Sequence, residues 1–196
     1  QAILLERGAR RVSPHFIPRI MSNAVSGQVA IRHGLMGTAF TTISACASAG
    51  HAIGMAWRAI QWDECDLVVT GGSESAITPL SMAGFASAKA LSTRNDSPET
   101  ASRPFDADRD GFVMGEGCGI LVLEEYERAK ARGARIYAEV KGYGSTDDAH
   151  HITAPKLDGT GPARAFQQAL NHAGLNPEDV QYINAHGTST AYNDSI

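Results

Sequence analysis

Cysteine is scarce in this chain of 196 residues, and its scarcity excludes two kinds of structural staple. The three cysteines, Cys46, Cys65 and Cys118, are too few and too scattered for a disulfide framework. None of them belongs to a Cys-x-x-Cys pair, so a zinc ribbon is not expected, and no metal site is predicted. Free thiols predict a reducing setting, such as the cytoplasm or the stroma or matrix of an organelle.

Long apolar runs and basic clusters are also missing. No run approaches the roughly 20 apolar residues that span a bilayer, and no signal peptide opens the sequence, so no membrane contact is expected. The formal net charge is -4 and no stripe of Lys and Arg is interleaved with aromatics, which argues against a nucleic-acid partner. The chain starts at Gln1 without a Met and stops at Ile196 after a polar cluster, so we expect a fragment of a longer protein.

Apolar runs alternate with helical patterns along the chain, which predicts an α/β fold with a largely buried sheet. The predicted strands cover residues 39–44, 67–70, 119–124, 136–142 and 180–184. The predicted helices cover residues 47–61, 125–132 and 162–174, and residues 79–90 fit either a helix or a loop. Residues 97–110 and 144–161 are polar, contain proline and predict long loops.

Cys46 lies in the stretch T-T-I-S-A-C-A-S-A-G, where an apolar run gives way to small residues. A strand ending at Ser44 and a helix beginning near Ala47 would place this thiol at a helix N-terminus. A thiol there ionises more readily and reacts faster, because unpaired N–H groups favour an anion. Free cysteines are also among the most buried residue types, so a role in the core stays open. For Cys65 and Cys118, beside apolar runs, the core is favoured.

A nucleophilic cysteine needs a basic partner, and His186 is the best placed of the seven histidines. It follows the predicted strand 180–184 in Y-I-N-A-H-G-T-S-T, at the strand end where α/β proteins build sites. The hydroxyls of Thr188 and Thr190 could hydrogen-bond a polar ligand there. A histidine that only caps a turn is an equally good interpretation of the pattern.

Residues 106–111, D-A-D-R-D-G, begin like a calcium-binding loop. The pattern requires a bidentate Glu at the twelfth position, which is Gly117 here, with Glu116 one residue short. A turn held by Asp side chains bonding to the backbone is the better prediction.

Four blocks in order carry a resemblance to a known family. They are S-A-C-A-S-A at 44–49, G-F-A-S-A-K-A-L-S-T-R-N-D at 84–96, R-P-F-D-A-D-R-D-G-F-V-M-G-E-G at 103–117 and N-A-H-G-T-S-T at 184–190. In these blocks the chain resembles the β-ketoacyl-[acyl carrier protein] synthases, most of all the elongating ketosynthases of the synthase II type. The likeness runs over essentially the whole chain and covers the middle of the family's length.

The resemblance implies a thiolase-like fold, with layered α/β/α/β/α halves and mixed sheets, incomplete in this fragment. It implies that residues 1–135 are the second part of the N-terminal ketosynthase half and residues 136–196 the start of the C-terminal half. The implied activity is an acyltransferase reaction, a decarboxylative Claisen condensation in fatty acid elongation. Cys46 matches the nucleophile that carries the acyl group, and His186 matches the first of two catalytic histidines.

Further matches concern the substrate and the partners. Thr188, Thr190 and Thr153 match residues near the pantetheine arm, and Phe85 and Phe16 match aromatics near the acyl pocket, Phe16 that of a partner subunit. Arg10, Arg11 and Lys89 match basic positions that dock the acyl carrier protein. The implied assembly is a homodimer. No cofactor is expected, because the substrates arrive on the carrier protein's phosphopantetheine arm.

Two departures limit the resemblance. The K-S-x-x-G-H segment with the second histidine and the lysine is absent, as is the C-terminal glycine-rich loop, so we expect no condensation from this fragment alone.

The residues around position 46 argue against two related kinds of protein. Ser44-Ala45 before the cysteine differs from the D-T-A-C-S-S pattern of modular polyketide ketosynthases, and a cysteine rather than a glutamine at position 46 differs from a chain-length factor. A ketosynthase of a type II polyketide or specialised lipid pathway, and a non-catalytic scaffold, remain alternatives.

Overall fold

The structure, a computed structural model, describes residues 2–196, and the chain divides into two compact units on either side of the Ser48–Ala49 bond. The first unit contains helices α1 (Ala2–Arg7), α2 (Phe16–Ile20) and α3 (Ala24–His33). From Ser48 onward follow α4 (Ser48–Gln61), β1 (Leu67–Glu74), α5 (Pro79–Ser87), β2 (Gly117–Glu124), α6 (Tyr126–Ala131) and α7 (Thr160–Ala173). Single 3-10 turns cover Ala9–Arg11, Ala45–Ala47, Pro98–Thr100, Pro177–Asp179 and Asn193–Ser195.

Local capping explains where several helices begin and end. The segment that fits either a helix or a loop forms α5, because the Thr78 hydroxyl accepts the N–H of Ser81 and Pro79 occupies the first helical position. The Glu125 carboxylate accepts the N–H groups of the first turn of α6. Gly174 ends α7 in the left-handed conformation, at φ 66°, as predicted for that glycine. The predicted helices 47–61, 125–132 and 162–174 are confirmed to within two residues at each end.

β1 and β2 form an antiparallel pair in which Leu67 faces Glu124 and Glu74 faces Gly117. Two glycines of β1 permit close approaches. Gly71 has φ 141° and lies against the backbone of Gly119, and Gly72 leaves space for Ala49 in the first turn of α4. A side chain at Gly72 would place its Cβ 2.7 Å from the Ala49 Cβ, so the absence of a side chain is what lets α4 begin beside the sheet.

The larger sheet that the sequence predicts is not formed within residues 2–196. The runs at 39–44, 136–142 and 180–184 have no strand partner among the described residues, and the predictions of strands there are wrong for this chain. Strand pairing requires a neighbour on the hydrogen-bonding edge, and an apolar sequence alone does not supply one. Among residues 2–196 one isolated parallel bridge, between Leu91 and Phe112, lies outside the antiparallel pair.

Residues 140–146 contact both α4 and α7 instead of a strand. The Trp57 indole N–H of α4 donates to the Val140 carbonyl at 2.8 Å, and Gly54 leaves space for the Tyr143 ring. On α7, the His172 Nδ1 lies 2.6 Å from the Tyr143 carbonyl oxygen. These contacts satisfy backbone carbonyls that would otherwise have joined a sheet ladder. They also bring residues from both predicted ketosynthase halves into the second compact unit.

Much apolar surface is left uncovered. The accessible surface is 14944 Å², whereas a compact monomer of 20.7 kDa has about 9,000 Å². Ile120 and Val122 on one face of β2 and Leu121 on the other are about half exposed. Strands with apolar residues on both faces are normally buried on both, so β2 lacks the cover that such a strand usually has.

Glycine at position 144 is expected to be required for packing. A Cβ there would meet the backbone of Ala165 and, at 3.0 Å, the backbone nitrogen of Ala169, both in α7. Backbone cannot yield as a side chain can, so Gly144→Ala is expected to lower the free energy of unfolding by about 1–3 kcal/mol. Urea unfolding of the full-length protein measures this, with Gly115→Ala as the control because a Cβ there meets nothing within 4 Å. Equal losses in the two variants would contradict the packing role.

Candidate active site

Cys46 lies in the middle of the 3-10 turn Ala45–Ala47, which leads directly into α4. One hydroxyl holds this turn: Ser48 Oγ accepts the Ser44 N–H at 2.8 Å and donates to the Ala45 carbonyl at 2.7 Å. Ala45 has φ 49°, a left-handed conformation that costs a non-glycine residue about 1–2 kcal/mol. The Cys46 side chain is solvent-exposed. The predicted location of the thiol at a helix N-terminus is therefore confirmed, and the prediction of a strand before it is not.

A strained residue directly before an exposed thiol is itself informative. Backbone strain of this kind persists where the surroundings impose it and is common in active sites. Here Cys46 is exposed within the turn and has an alanine on each side. The exposed position argues against the core interpretation of Cys46, and its role as nucleophile stays a prediction. Cys118, for which the core was favoured, is also exposed, so that expectation is wrong.

His186 lies in the second unit, in a segment that runs from Asn184 to Ser195 with one 3-10 turn at its end. The imidazole is exposed, and the two hydroxyl oxygens of Thr188 and Thr190 are 2.8 Å apart. Between them Ser189 is fully buried, with φ 64°. The two hydroxyls therefore lie side by side, and their hydrogen bonding to a polar ligand stays a prediction.

The loop of residues 103–111 holds this segment. The Arg103 N–H donates to Ser189 Oγ at 3.1 Å, and the Gly111 N–H donates to the Ser189 carbonyl at 2.9 Å. Arg109 donates to backbone carbonyls of the same segment. Within the loop, Asp106 Oδ1 accepts the N–H of Asp108 at 2.8 Å, which confirms the predicted Asp-held turn.

Two acidic groups around this loop have lowered pKa values. The pKa of Asp110 is lowered by the Ser92 hydroxyl at 2.6 Å, then by the Thr93 N–H and the Arg103 guanidinium, 3.0 Å away. For Asp194, burial is the largest single influence and by itself would raise the pKa. Hydrogen bonds from Phe105 and Asn193 and the charge of Arg109 together outweigh burial, so the pKa of Asp194 is lowered. Both carboxylates are therefore charged at neutral pH.

Phe85 and Lys89 lie close to the same loop. Phe85 in α5 packs edge-on against Phe112, with ring centroids 5.2 Å apart. Lys89 follows α5, is exposed and has φ 56°. The bridge between Leu91 and Phe112 connects the chain after Lys89 to the residue that follows Gly111. Phe85, the predicted acyl-pocket aromatic, and Lys89, the predicted docking cation, thus lie on one stretch of backbone that contacts Phe112.

Thr153 belongs to a loop, residues 147–158, that is held by its own acidic side chains. The Asp148 carboxylate accepts the N–H groups of Lys156 and His150, which lowers its pKa. A hydrogen bond from the Lys156 ammonium, with help from Thr160, lowers the pKa of Asp158 from 3.8 to about 2. The Thr153 N–H donates to the His151 ring nitrogen Nδ1 at 3.1 Å, and its side chain is exposed.

Three predicted residues lie in the first unit. Arg10 and Arg11 are exposed in the 3-10 turn after α1, and Phe16 is the first residue of α2 and is 48% exposed. Two cations side by side on the surface have the charge that an acidic partner requires. Nothing further in the first unit distinguishes a docking role from that of ordinary surface residues, so these three roles stay predictions.

Sequence reasoning missed Arg103, Arg109 and Asp194. The pattern R-P-F-D-A-D-R-D-G was interpreted as a self-contained turn, but its two arginines bind a segment more than 80 residues later in the chain. The sequence does contain one signal for these contacts, the balance of charges: two arginines and three aspartates share one loop, and Asp194 lies shortly after the predicted histidine.

None of the helices in residues 2–196 combines the length and apolar character that crossing a bilayer requires.

Comparison with known families gives two matches that together cover most of the chain. Residues 1–129 match the family described as "Beta-ketoacyl synthase, N-terminal domain", and residues 137–196 match "Beta-ketoacyl synthase, C-terminal domain". The chain is 58% identical over 188 residues to "3-oxoacyl-[acyl-carrier-protein] synthase 2" of Rhizobium meliloti (strain 1021), covering 95% of the chain and 45% of the relative. It is 52% identical over 195 residues to "3-oxoacyl-[acyl-carrier-protein] synthase, mitochondrial" of Arabidopsis thaliana, covering 99% and 42%.

Solved structures give the same result for the fold. A structure titled "AntDE:AntF (apo): type II PKS acyl-carrier protein in complex with its ketosynthase bound to the hexaketide" matches with TM-score 0.93 and 39% identity, over 96% of this chain and 46% of that one. A "Beta-ketoacyl synthase from Burkholderia phymatum STM815" matches with TM-score 0.91 and 43% identity, over 98% and 47%. The thiolase-like α/β fold class is thereby confirmed, and the chain spans about half the length of the curated relatives it matches.

Proposed function

This chain belongs to the β-ketoacyl synthase family, and we propose that the whole protein condenses an acyl thioester with malonyl-acyl carrier protein in fatty acid elongation. The observation that carries the proposal is the exposed Cys46 in a strained turn at the start of α4. Relatives at 52–58% identity are named as 3-oxoacyl-[acyl-carrier-protein] synthases, which supports the choice of pathway.

The proposed reaction has two half-reactions, and each uses a residue of this chain. First, the Cys46 sulfur attacks the carbonyl of an acyl-carrier thioester, and the carrier's thiol leaves as the acyl group transfers to Cys46. N–H groups at the start of α4 lie beside the forming oxyanion in this proposal and stabilise its charge. This acyl transfer requires no cofactor, because the phosphopantetheine arm belongs to the substrate.

In the second half-reaction the malonyl thioester loses carbon dioxide, and the electron pair of the broken bond becomes an enolate. The enolate carbon attacks the acyl-Cys46 carbonyl, a carbon–carbon bond forms and the Cys46 thiolate leaves. His186 donates a hydrogen bond to the enolate oxygen in this proposal, together with the second histidine of the family's pattern. Thr188 and Thr190 bind the pantetheine arm, and Thr153, Phe85 and Phe16 border the arm and the acyl chain.

We propose acyl carrier protein as the partner and a homodimer as the assembly. The exposed cations Arg10, Arg11 and Lys89 support the docking of an acidic carrier, and a related structure holds a ketosynthase with its acyl-carrier protein. A boundary between the two ketosynthase halves after residue 135 is supported by the interval between the two family matches. Relatives from bacteria and a mitochondrial relative support a cytoplasmic or organellar location.

A polyketide ketosynthase is the second candidate, and the similarity to the AntDE ketosynthase favours it. Loading assays on the full-length protein separate the two: saturated acyl chains of graded length and poly-β-keto chains are offered on acyl carrier protein, and intact mass reports the adduct on Cys46. Fatty acid elongation predicts loading and extension of saturated chains. Extension only of poly-β-keto chains supports the second candidate, and no adduct with any chain supports the non-catalytic scaffold.

A further inference from the structure

The segment that carries His186, Thr188 and Thr190 has little regular structure of its own. It has only a single 3-10 turn, at Asn193–Ser195, and its backbone is left-handed at Gly187 and Ser189, with φ 52° and 64°. Left-handed serine is unfavourable without external support, because its Cβ crowds the following carbonyl. The positions of the two threonine hydroxyls therefore depend on the contacts that the loop 103–111 makes with this backbone, here called the grip.

Arg109 is the most extensively bonded residue of that grip. Its Nε donates to the Thr190 carbonyl at 3.0 Å, and its Nη2 donates to the Ala191 carbonyl at 3.0 Å and to Ser195 Oγ at 2.9 Å. Its Nη1 donates to the Asp106 carbonyl of its own loop at 2.8 Å. Three bonds from one planar group thus join the loop to Thr190, Ala191 and Ser195, and a fourth ties the group to its own loop.

A buried carboxylate fixes the orientation of this guanidinium. The Asp194 side chain is fully buried and its Oδ2 lies 3.5 Å from Arg109 Nε, while only 15% of the Arg109 side chain is exposed. The same Oδ2 accepts the Phe105 N–H at 2.9 Å, so the carboxylate is tied to the loop as well. Removing the positive charge alone would leave a buried anion without its counter-charge, a strongly unfavourable arrangement.

The grip ends directly beside the threonine pair. Thr190 contributes its carbonyl to Arg109 and its hydroxyl to Thr188, and Ser189 between them is clamped by the N–H groups of Arg103 and Gly111. The guanidinium therefore binds the backbone of the same residue whose hydroxyl contacts Thr188. Displacement of the Thr190 carbonyl moves the Thr190 hydroxyl with it.

We propose that Arg109 is a positioning residue that, with Asp194, fixes the Thr188–Thr190 hydroxyl pair for binding of the pantetheine arm; the inference rests on the proposed function. Arg109 itself touches no substrate. A lysine in its place carries the charge but lacks the planar group that reaches Thr190, Ala191 and Ser195 together, so it restores the ion pair without restoring the position.

Steady-state kinetics and alkylation on the full-length protein test the proposal. In Arg109→Gln and Arg109→Lys we expect the KM for an acyl-pantetheine thioester to rise about tenfold, the size of effect of one lost hydrogen bond to the arm. The KM for an acyl thioester without the pantetheine arm and the rate of Cys46 alkylation by iodoacetamide should stay within about twofold. Arg132→Gln is the matched control, because Arg132 pairs with the largely buried Glu124 but contacts nothing in residues 186–195.

The double variant Arg109→Gln with Asp194→Asn separates positioning from stability. It removes the unpaired buried charge, so the melting temperature should recover towards that of the unaltered protein while the KM for the acyl-pantetheine thioester stays raised. Recovery of both together would overturn the proposal and leave a purely structural role. An equal rise in KM for both thioesters would also overturn it, since the effect would not pass through the arm.

Hydrogen exchange distinguishes failure of this inference from failure of the proposed function. Amides of residues 186–195 should exchange at least tenfold faster in Arg109→Gln than in Arg132→Gln, whether or not the protein condenses acyl chains. If the unaltered protein forms no acyl-Cys46 adduct, the proposed function falls, while faster exchange still supports the grip. Unchanged exchange in Arg109→Gln would overturn the grip itself, even in an active enzyme.

Discussion

Replacing Cys46 with alanine is expected to abolish the acyl-enzyme and to lower the rate of condensation by a factor on the order of 10⁴ or more, the scale seen when an enzyme loses its nucleophile. The reason is chemical: no other group in the turn Ala45–Ala47 can form the thioester. The variant should fold normally, because the exposed thiol contributes little packing and Ser48 still holds the turn. Intact-mass measurement after incubation with acyl-carrier protein reports the adduct directly.

Cys118 provides the matched control, because it is also a free and exposed cysteine of this chain but lies within β2 opposite Ser73. Cys118→Ala should retain the adduct and its rate to within about twofold. Iodoacetamide should also alkylate Cys46 first, because Cys46 lies in an exposed turn whereas Cys118 lies within a paired strand. An acyl adduct that persists in Cys46→Ala and disappears in Cys118→Ala would reverse the assignment of the nucleophile.

The turn around Cys46 shows what local sequence can predict. Small residues after an apolar run indicated a tight entry into a helix, and α4 begins where that pattern placed it. The left-handed Ala45 was not predictable, because alanine has no preference for that conformation and the Ser48 hydroxyl imposes it. In the same way the choice between helix and loop at 79–90 depended on the capping bond from Thr78, which composition does not reveal.

Non-local contacts account for the failures. The runs 39–44, 136–142 and 180–184 are apolar enough for strands, but a strand is defined by its neighbour, and none pairs with them in residues 2–196. Arg109 and Asp194 are separated by more than 80 residues, so no periodicity connects them, and only folding shows that the loop 103–111 supports the histidine segment. Local chemistry therefore singled out Cys46 and His186 as candidates, while the loop that holds the histidine segment had to come from the structure.

Replacing His186 with alanine is expected to separate the two half-reactions. Condensation should fall by about 10²–10⁴, the range for loss of a positioned acid–base or hydrogen-bonding group, whereas acylation of Cys46 should continue. The histidine is assigned to the enolate formed from the malonyl thioester, and no enolate forms during acyl transfer. Carbon dioxide release from malonyl-carrier protein measures the affected step, and intact mass of acyl-Cys46 measures the unaffected one.

The fold should tolerate this change, so the kinetic effect is interpretable. The His186 imidazole is exposed, and the segment is held through Ser189, Thr190 and Asp194 and not through the ring. His33→Ala is the control, since His33 is an exposed histidine at the end of α3. Its carbon dioxide release and acylation should match those of the unaltered protein. If His186→Ala slows acylation as much as decarboxylation, the imidazole acts on the thiol of Cys46 and its assignment to the enolate is wrong.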